Sequence, residues 1–317
     1  MSTNKTNIQN ESDIDFYEII KIILDNKKYI IIVAILSLLS AALLLHTISN
    51  KYTSSSLLEP IGASESGLSA LGQYSGLASM AGFSLPDQEI SKADYAIATI
   101  KSKLFFQNLL QHDGILESIY ASAGFDEKTK KVVFNNSLFK DDKWIEKQGI
   151  FSKSKPSYIQ AHKIFIEELL SISKDKETGF IQISITHHSP IFAKDFLDLI
   201  ISEANRIERQ KDLSNADKSL DFLNLEAQKN TFINTEDAIT SLMNEKLNIK
   251  MLANTTEDYL LELIDPPFYP EKKSSPKRML LSIVISFVFT FIYIFYLIIN
   301  FYSFKQIKQK DSELLDD

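Results

Sequence analysis

The chain has 317 residues, a formal net charge of −7 and no cysteine. Without thiols there is no disulfide framework and no thiol nucleophile. The mild acidic excess argues against a nucleic-acid surface, which requires a strong basic balance.

Residues 1–28 are mostly polar and end with Lys21, Lys27 and Lys28. Residues 29–48, YIIIVAILSLLSAALLLHTI, then run without a charge unless His46 protonates. Residues 279–301, MLLSIVISFVFTFIYIFYLIINF, carry no charge at all. A hydrocarbon core about 30 Å thick needs about 20 helical residues, so both stretches read as transmembrane helices. No small-residue cleavage site follows the first, so it reads as an uncleaved span. Three lysines precede span one and only Lys51 follows closely, which places the N-terminus in the cytoplasm. The second span returns the chain to the cytoplasm, where Lys305, Lys308 and Lys310 fit. Lys272, Lys273, Lys277 and Arg278 then stand on the outer side, against the charge rule. Anionic headgroups or a lipid-linked phosphate would explain them.

The expected organisation is therefore a cytoplasmic segment (1–28), a span (29–48), a periplasmic domain (49–278), a second span (279–301) and a cytoplasmic tail (302–317). Within the large domain, residues 51–60, KYTSSSLLEP, read as a strand. Residues 61–86 hold five of the nine glycines, interrupted by Leu68, Leu71, Leu77, Met80 and Phe83. A helical pattern runs from Asp87 to about Leu110, with Asp87 or Ser91 as the cap. Residues 115–155 carry little signal. Residues 158–172 read as a helix, and 181–186 alternate as a half-buried strand.

Ser189-Pro190 opens the next helix as cap and first residue. From there to Pro266 neither glycine nor proline occurs, which predicts one or two very long helices. A single helix over 192–254 would span about 95 Å. Its stretch between Ala204 and Asp217 is almost wholly polar, so it is expected to project or to lie in a shared surface. Residues 259–264, YLLELI, read as a strand leading back to the membrane. The fold class is α+β: two transmembrane helices flanking a periplasmic domain with a membrane-proximal α/β base and a long projecting helix.

Catalytic signatures are missing from the sequence. No G-x-x-x-x-G-K-[ST] loop exists to cradle phosphates, and no G-x-S-x-G elbow presents a serine. His187 and His188 are strand neighbours pointing to opposite faces, so they read as turn and surface residues rather than a metal pair. Glu167 and Glu168 read as a solvated helix face. The expectation is no enzyme, no cofactor and no metal.

One segment is distinctive. Before the second span the chain reads Pro267-Phe-Tyr-Pro270, then four residues, then Ser275-Pro276-Lys277. Proline fixes φ and resists helix formation, so the segment is a stiff lead into an abruptly starting span. The pattern P-x2-P-x4-S-P-K resembles the proline-rich segment of Wzz-type chain-length determinants, the class 1 polysaccharide co-polymerases. DIDFYEIIKIILDNKKYIIIVAIL, KYTSSSLLEP with the glycine-rich segment after it, and ETGFIQISITHHSPIFAKDFLDLIISEAN are similar to other parts of that family. The chain departs from the family at the glycine cluster usual in the second span. Phe287, Phe289, Phe291 and Tyr293 stand there instead, which removes the close helix approach that glycines allow.

The resemblance implies a homo-oligomer of the bacterial inner membrane that regulates the length of an undecaprenyl-linked polysaccharide of the O-antigen type. It would act with the polysaccharide polymerase. Pro267, Pro270, Ser275, Pro276 and Lys277 are then the sensitive residues. Lys272, Lys273, Lys277 and Arg278 would contact headgroups or lipid phosphate. A capsule or exopolysaccharide co-polymerase working with a separate tyrosine kinase or ABC exporter is the alternative within the class. A periplasmic ligand sensor or a membrane-tethered hydrolase would be alternatives of other classes.

Overall fold

The computed structural model describes residues 16–61, 91–145, 155–229 and 233–313. Helices α1 (Phe16–Asp25) and α2 (Lys27–His46) come first, followed by β1 (Tyr52–Pro60). Three short helices come next, α3 (Lys92–Lys101), α4 (Lys103–Leu109) and α5 (Ile115–Ala121). Two hairpins follow, β2 (Ser122–Asp126) with β3 (Lys131–Phe134) and β4 (Phe139–Lys140) with β5 (Lys143–Trp144). Then come α6 (Tyr158–Ile164), a π turn (Phe165–Leu169), β6 (Leu170–Lys174) and β7 (Ile181–His187). The chain continues through α7 (Pro190–Lys229), α8 (Ile233–Thr255), β8 (Leu261–Asp265) and α9 (Arg278–Glu313). Two compact units result, Asn50–Ser274 and the combination of Met1–Ser49 with Ser275–Asp317. The fold class is α+β, as expected. The glycine-rich segment lies outside the described residues.

In the Asn50–Ser274 unit, four strands form one antiparallel sheet in the order β6-β7-β1-β8. The strands on either side of the apolar stretches, β1 and β8, are thus direct partners. β7 alternates as predicted: Ile181, Ile183 and Ile185 are fully buried between more exposed neighbours. They pack in one core with Phe196, Leu197 and Ile200 of α7, and with Ile100, Phe106, Leu109 and Phe165. Burying one such side chain contributes roughly 1.5–3 kcal/mol, so this cluster carries the unit.

Local chemistry explains where the elements start. Ser91, not Asp87, caps α3: its Oγ accepts from the Asp94 N–H. The predicted helix to Leu110 is broken at Ser102, which is extended and caps α4 by accepting from Phe105 N–H. Ser157 and Gln160 make a reciprocal capping box at α6. Ser189 accepts from Phe192 N–H ahead of α7, with Pro190 first in the helix. The low-signal stretch after residue 115 contains β4 and β5, joined by Asp141 and Asp142 at φ 51° and 56°, the positive pair that a tight two-residue hairpin needs.

One sequence expectation fails here. The helix predicted over 158–172 gives way to β6, because Leu170-Ser-Ile-Ser-Lys174 alternates with period two and pairs along β7. The long helical run is two helices, α7 and α8, one of the two arrangements expected, and they lie antiparallel. Lys250 Nζ donates to Asp217 at 2.7 Å, and Arg209 donates to the Thr256 carbonyl at 3.0 Å.

The polar stretch after Ala204 is also not simply solvated. Asn205 and Glu208 are buried. Asn205 Oδ1 accepts from the N–H groups of Leu260 and Leu261, each at 2.8 Å, and its Nδ2 donates to the Leu261 carbonyl at 3.0 Å. Tyr95 donates to Glu208 at 2.8 Å, and Lys211 bonds both. Tyr259 donates to Asp212 at 2.8 Å. One amide therefore satisfies three buried backbone groups at the start of β8, where leaving them bare would cost far more.

In the other unit, α2 and the first part of α9, Arg278–Phe304, are long and apolar enough to cross a membrane. Most of their apolar side chains are exposed, unlike those of a soluble core helix. The two helices approach through small residues. Ser37 Oγ and Ser286 Oγ are 3.0 Å apart, Ser286 also donates to the Ala34 carbonyl at 2.9 Å, and Ala41, Ser282 and Ser286 are buried. The close approach expected to be lost with the glycines is supplied instead by serine and alanine.

The proline-rich segment as candidate functional site

β8 pairs with β1 as far as Asp265, with a bulge at Ile264: Leu57 faces Asp265 while Leu58 faces Leu263. Beyond Asp265 the chain reads Pro266-Pro267 and then Pro270. Prolines have no N–H to give to a ladder, so backbone pairing with β1 stops. Hydroxyls of β1 take over. Ser56 Oγ donates to the Asp265 carbonyl at 2.7 Å, and Ser54 Oγ donates to the Phe268 carbonyl at 2.8 Å. Both serines are about 98–99% removed from solvent, at 1% and 2% exposure. Ser274 N–H then donates to the Lys51 carbonyl at 2.9 Å, and Thr53 Oγ1 donates to Ser274 Oγ at 2.8 Å. The segment is thus laid along β1 and pinned at three levels.

Within it, Pro267 is buried and Pro270 half-buried. Phe268 and Tyr269 point outward, each more than half exposed. Tyr269 donates to Asp195 Oδ1 at 3.1 Å on α7, and the Lys194 ammonium stands 5.2 Å over its ring. The Asp195 carboxylate holds the Tyr269 phenol above its ordinary pKa, and Asp198 does the same for the Lys194 ammonium. Lys272 and Lys273 are exposed and make no ion pair among the described residues.

In the other unit, Ser275 and Lys277 are exposed, and Pro276 and Arg278 are half-buried. The Ser275-Pro276 bond is cis. α9 begins directly after Lys277, whose carbonyl accepts from Leu281 N–H, and Arg278 Nη2 donates to the Ile48 carbonyl at 2.8 Å. The second apolar helix starts where the proline pattern ends.

The pinning residues Thr53, Ser54 and Ser56 were not singled out by sequence reasoning. Their signal was the hydroxyl run in KYTSSS, which reads as a strand but does not say what the hydroxyls bind. The reading of His187 is corrected. It is 3% exposed, accepts from Ser189 N–H at Nδ1 and donates to the Ser118 carbonyl at Nε2. Burial pushes its pKa down to about 4, so it is a neutral core group. His188 is half-buried and bonds the Asn50 carbonyl through Nδ1.

Among the described residues no group of three or more His, Asp or Glu is arranged to hold a metal ion.

Comparison with known proteins points one way. Residues 12–112 match the family model described as chain length determinant protein, Wzz. No curated protein matches the chain. Among solved structures, a full-length bacterial polysaccharide co-polymerase is similar at 12% identity and TM-score 0.38, over 90% of this chain and 96% of that one. A fragment of the polysaccharide co-polymerase WzzB from Salmonella Typhimurium is similar at 13% identity and TM-score 0.29, over 71% of this chain and all of that one. A mutant of the Shigella flexneri lipopolysaccharide O-antigen chain-length regulator is similar at 12% identity and TM-score 0.24, again over 71% and all. Likenesses of this grade add nothing to the family match. The stretch that resembles the Wzz chain length determinant family model, residues 12–112, includes the first apolar helix and β1.

Proposed function

We propose that the chain regulates, without catalysis of its own, the length of a lipid-linked surface polysaccharide of the O-antigen type. It acts as a homo-oligomer on or beside the polymerase, in a bacterial inner membrane. Both termini are cytoplasmic, and residues 49–278 form the periplasmic domain. The observation that carries this reading is the family match over residues 12–112, joined to the pattern Pro267-x2-Pro270-x4-Ser275-Pro276-Lys277 directly ahead of the second apolar helix.

The proline segment is the working part. Stiff and pinned to β1, it is the stretch of chain that leads from the Asn50–Ser274 sheet toward the second span. Lys272, Lys273, Lys277 and Arg278 contribute positive charge within seven consecutive residues. That charge suits anionic headgroups or the phosphate of an undecaprenyl-linked glycan.

The test is a gel of surface polysaccharide from the host and from a strain deleted for this gene. The expected result is loss of the preferred length, restored by the gene in trans. An unchanged length distribution, in a strain that makes polymeric antigen and has no second regulator, overturns the reading. It would turn attention to capsule or exopolysaccharide.

A further inference from the structure

A polar pocket of about 210 Å³ opens in the Asn50–Ser274 unit. Its wall includes Lys51, Tyr120, Ser122, Glu168, Thr186 and His188. Three features define what it can hold. First, its charge is balanced. Lys51 Nζ and Glu168 Oε2 lie 3.9 Å apart, and burial holds both His187 and His188 toward their neutral forms. A free anion gains little from such a site.

Second, its polar groups have bonding capacity left over in both senses. His188 Nδ1 donates to the Asn50 carbonyl, so the neutral ring keeps Nε2 as an acceptor. Glu168 is an acceptor and Lys51 a donor. Third, an aromatic surface is present: Tyr120 lines the pocket, with Trp144 beside it at 6.2 Å between ring centroids. The volume is below the roughly 300–1,000 Å³ usual for drug-sized ligands, so it suits a single ring.

We propose that this pocket is a subsite for one neutral sugar residue of a glycan. The sugar's apolar face lies against Tyr120. Its hydroxyls donate to Glu168 and His188 Nε2 and accept from Lys51. The inference deepens the proposed function, since it rests on the glycan being the regulated polymer. Binding itself is measured independently of length control.

The experiment uses the full-length protein in lipid nanodiscs and saturation-transfer NMR. The probes are glucose, galactose, mannose, rhamnose and N-acetylglucosamine, with inorganic phosphate as competitor. Lys51→Met and Glu168→Gln are the variants, because both side chains are exposed. The expected result is saturation of at least one sugar, weakened about three- to tenfold by either variant with unchanged melting temperature and no competition by phosphate. No saturation by any of the five sugars, binding indifferent to both variants, or competition by phosphate overturns the proposal. The deletion gel separates the two failures. If lengths change on deletion but no sugar binds, the pocket assignment falls and the function stands. If a sugar binds and lengths do not change, the reverse holds.

Discussion

The two long sides of β1 are held by different chemistry. Along one side, β7 pairs with it through seven consecutive residues, Tyr52↔His187 to Leu58↔Ile181. Along the other, the β8 ladder covers only its far end, and the proline segment is fastened to the rest by the hydroxyls of Thr53, Ser54 and Ser56. The first side is a cooperative backbone ladder backed by the isoleucine core. The second depends on separate hydroxyl bonds and one backbone bond, from Ser274 N–H to the Lys51 carbonyl.

Substitutions sharpen this contrast in order of size. Ile183→Ala, on the ladder side at 0% exposure, should cost about 3 kcal/mol or more through the cavity it leaves. Chemical denaturation of the purified protein measures it, and a cost under about 1 kcal/mol would mean the core is not where the sheet gets its strength. Asn205→Ala strips the partner from two buried N–H groups and a carbonyl at the start of β8, and should cost about 2–3 kcal/mol. Its hydrogen-exchange signature should appear at Leu260 and Leu261 before β7. Simultaneous loss of protection in both strands would show that β8 is not a separable edge.

His187 gives the ladder side a pH dependence. Its folded pKa, near 4, lies below its ordinary 6.5. Between these values the unfolded state binds the proton and the folded state does not. Stability from this group is therefore full above about pH 6.5 and falls as pH drops toward 4, by about 3 kcal/mol in all. His187→Gln should flatten that limb of the stability profile, and an unchanged slope would remove His187 as its source.

On the proline side the effects are smaller. Ser54→Ala and Ser56→Ala should each cost about 1 kcal/mol, read as a shift in denaturation midpoint. Reversing the charge of Lys272, Lys273, Lys277 and Arg278 should change polysaccharide length, and reversing only the three exposed lysines should do so while leaving stability within about 0.5 kcal/mol. Normal length and normal assembly in the fourfold variant would remove the headgroup or lipid-phosphate role.

Much of the fold was legible because its signals are periodic. The alternation in GFIQISITHH gave β7, two charge-free runs gave α2 and α9, and Ser189-Pro190 gave the start of α7. The misses share a cause: the deciding partner was distant in sequence. Ser171 and Ser173 fit a helix face until β7 supplies a ladder for β6. The stretch after Ala204 looks solvated until the N–H groups of Leu260 and Leu261 arrive 55 and 56 residues later. His187 looks like a surface turn until α5 covers it with Ser118. The candidate site divided in the same way. The proline pattern is visible in sequence, whereas the hydroxyls that hold it are visible only once β1 lies beside it.

The central claim is that length control acts through the proline segment held on β1. Its most direct measurement is the polysaccharide length distribution of the deletion strain carrying the Ser54→Ala/Ser56→Ala double variant, at the protein level of the unaltered gene. The account predicts a shifted or broadened length distribution from a protein that still folds and inserts. A distribution identical to that given by the unaltered gene would contradict it.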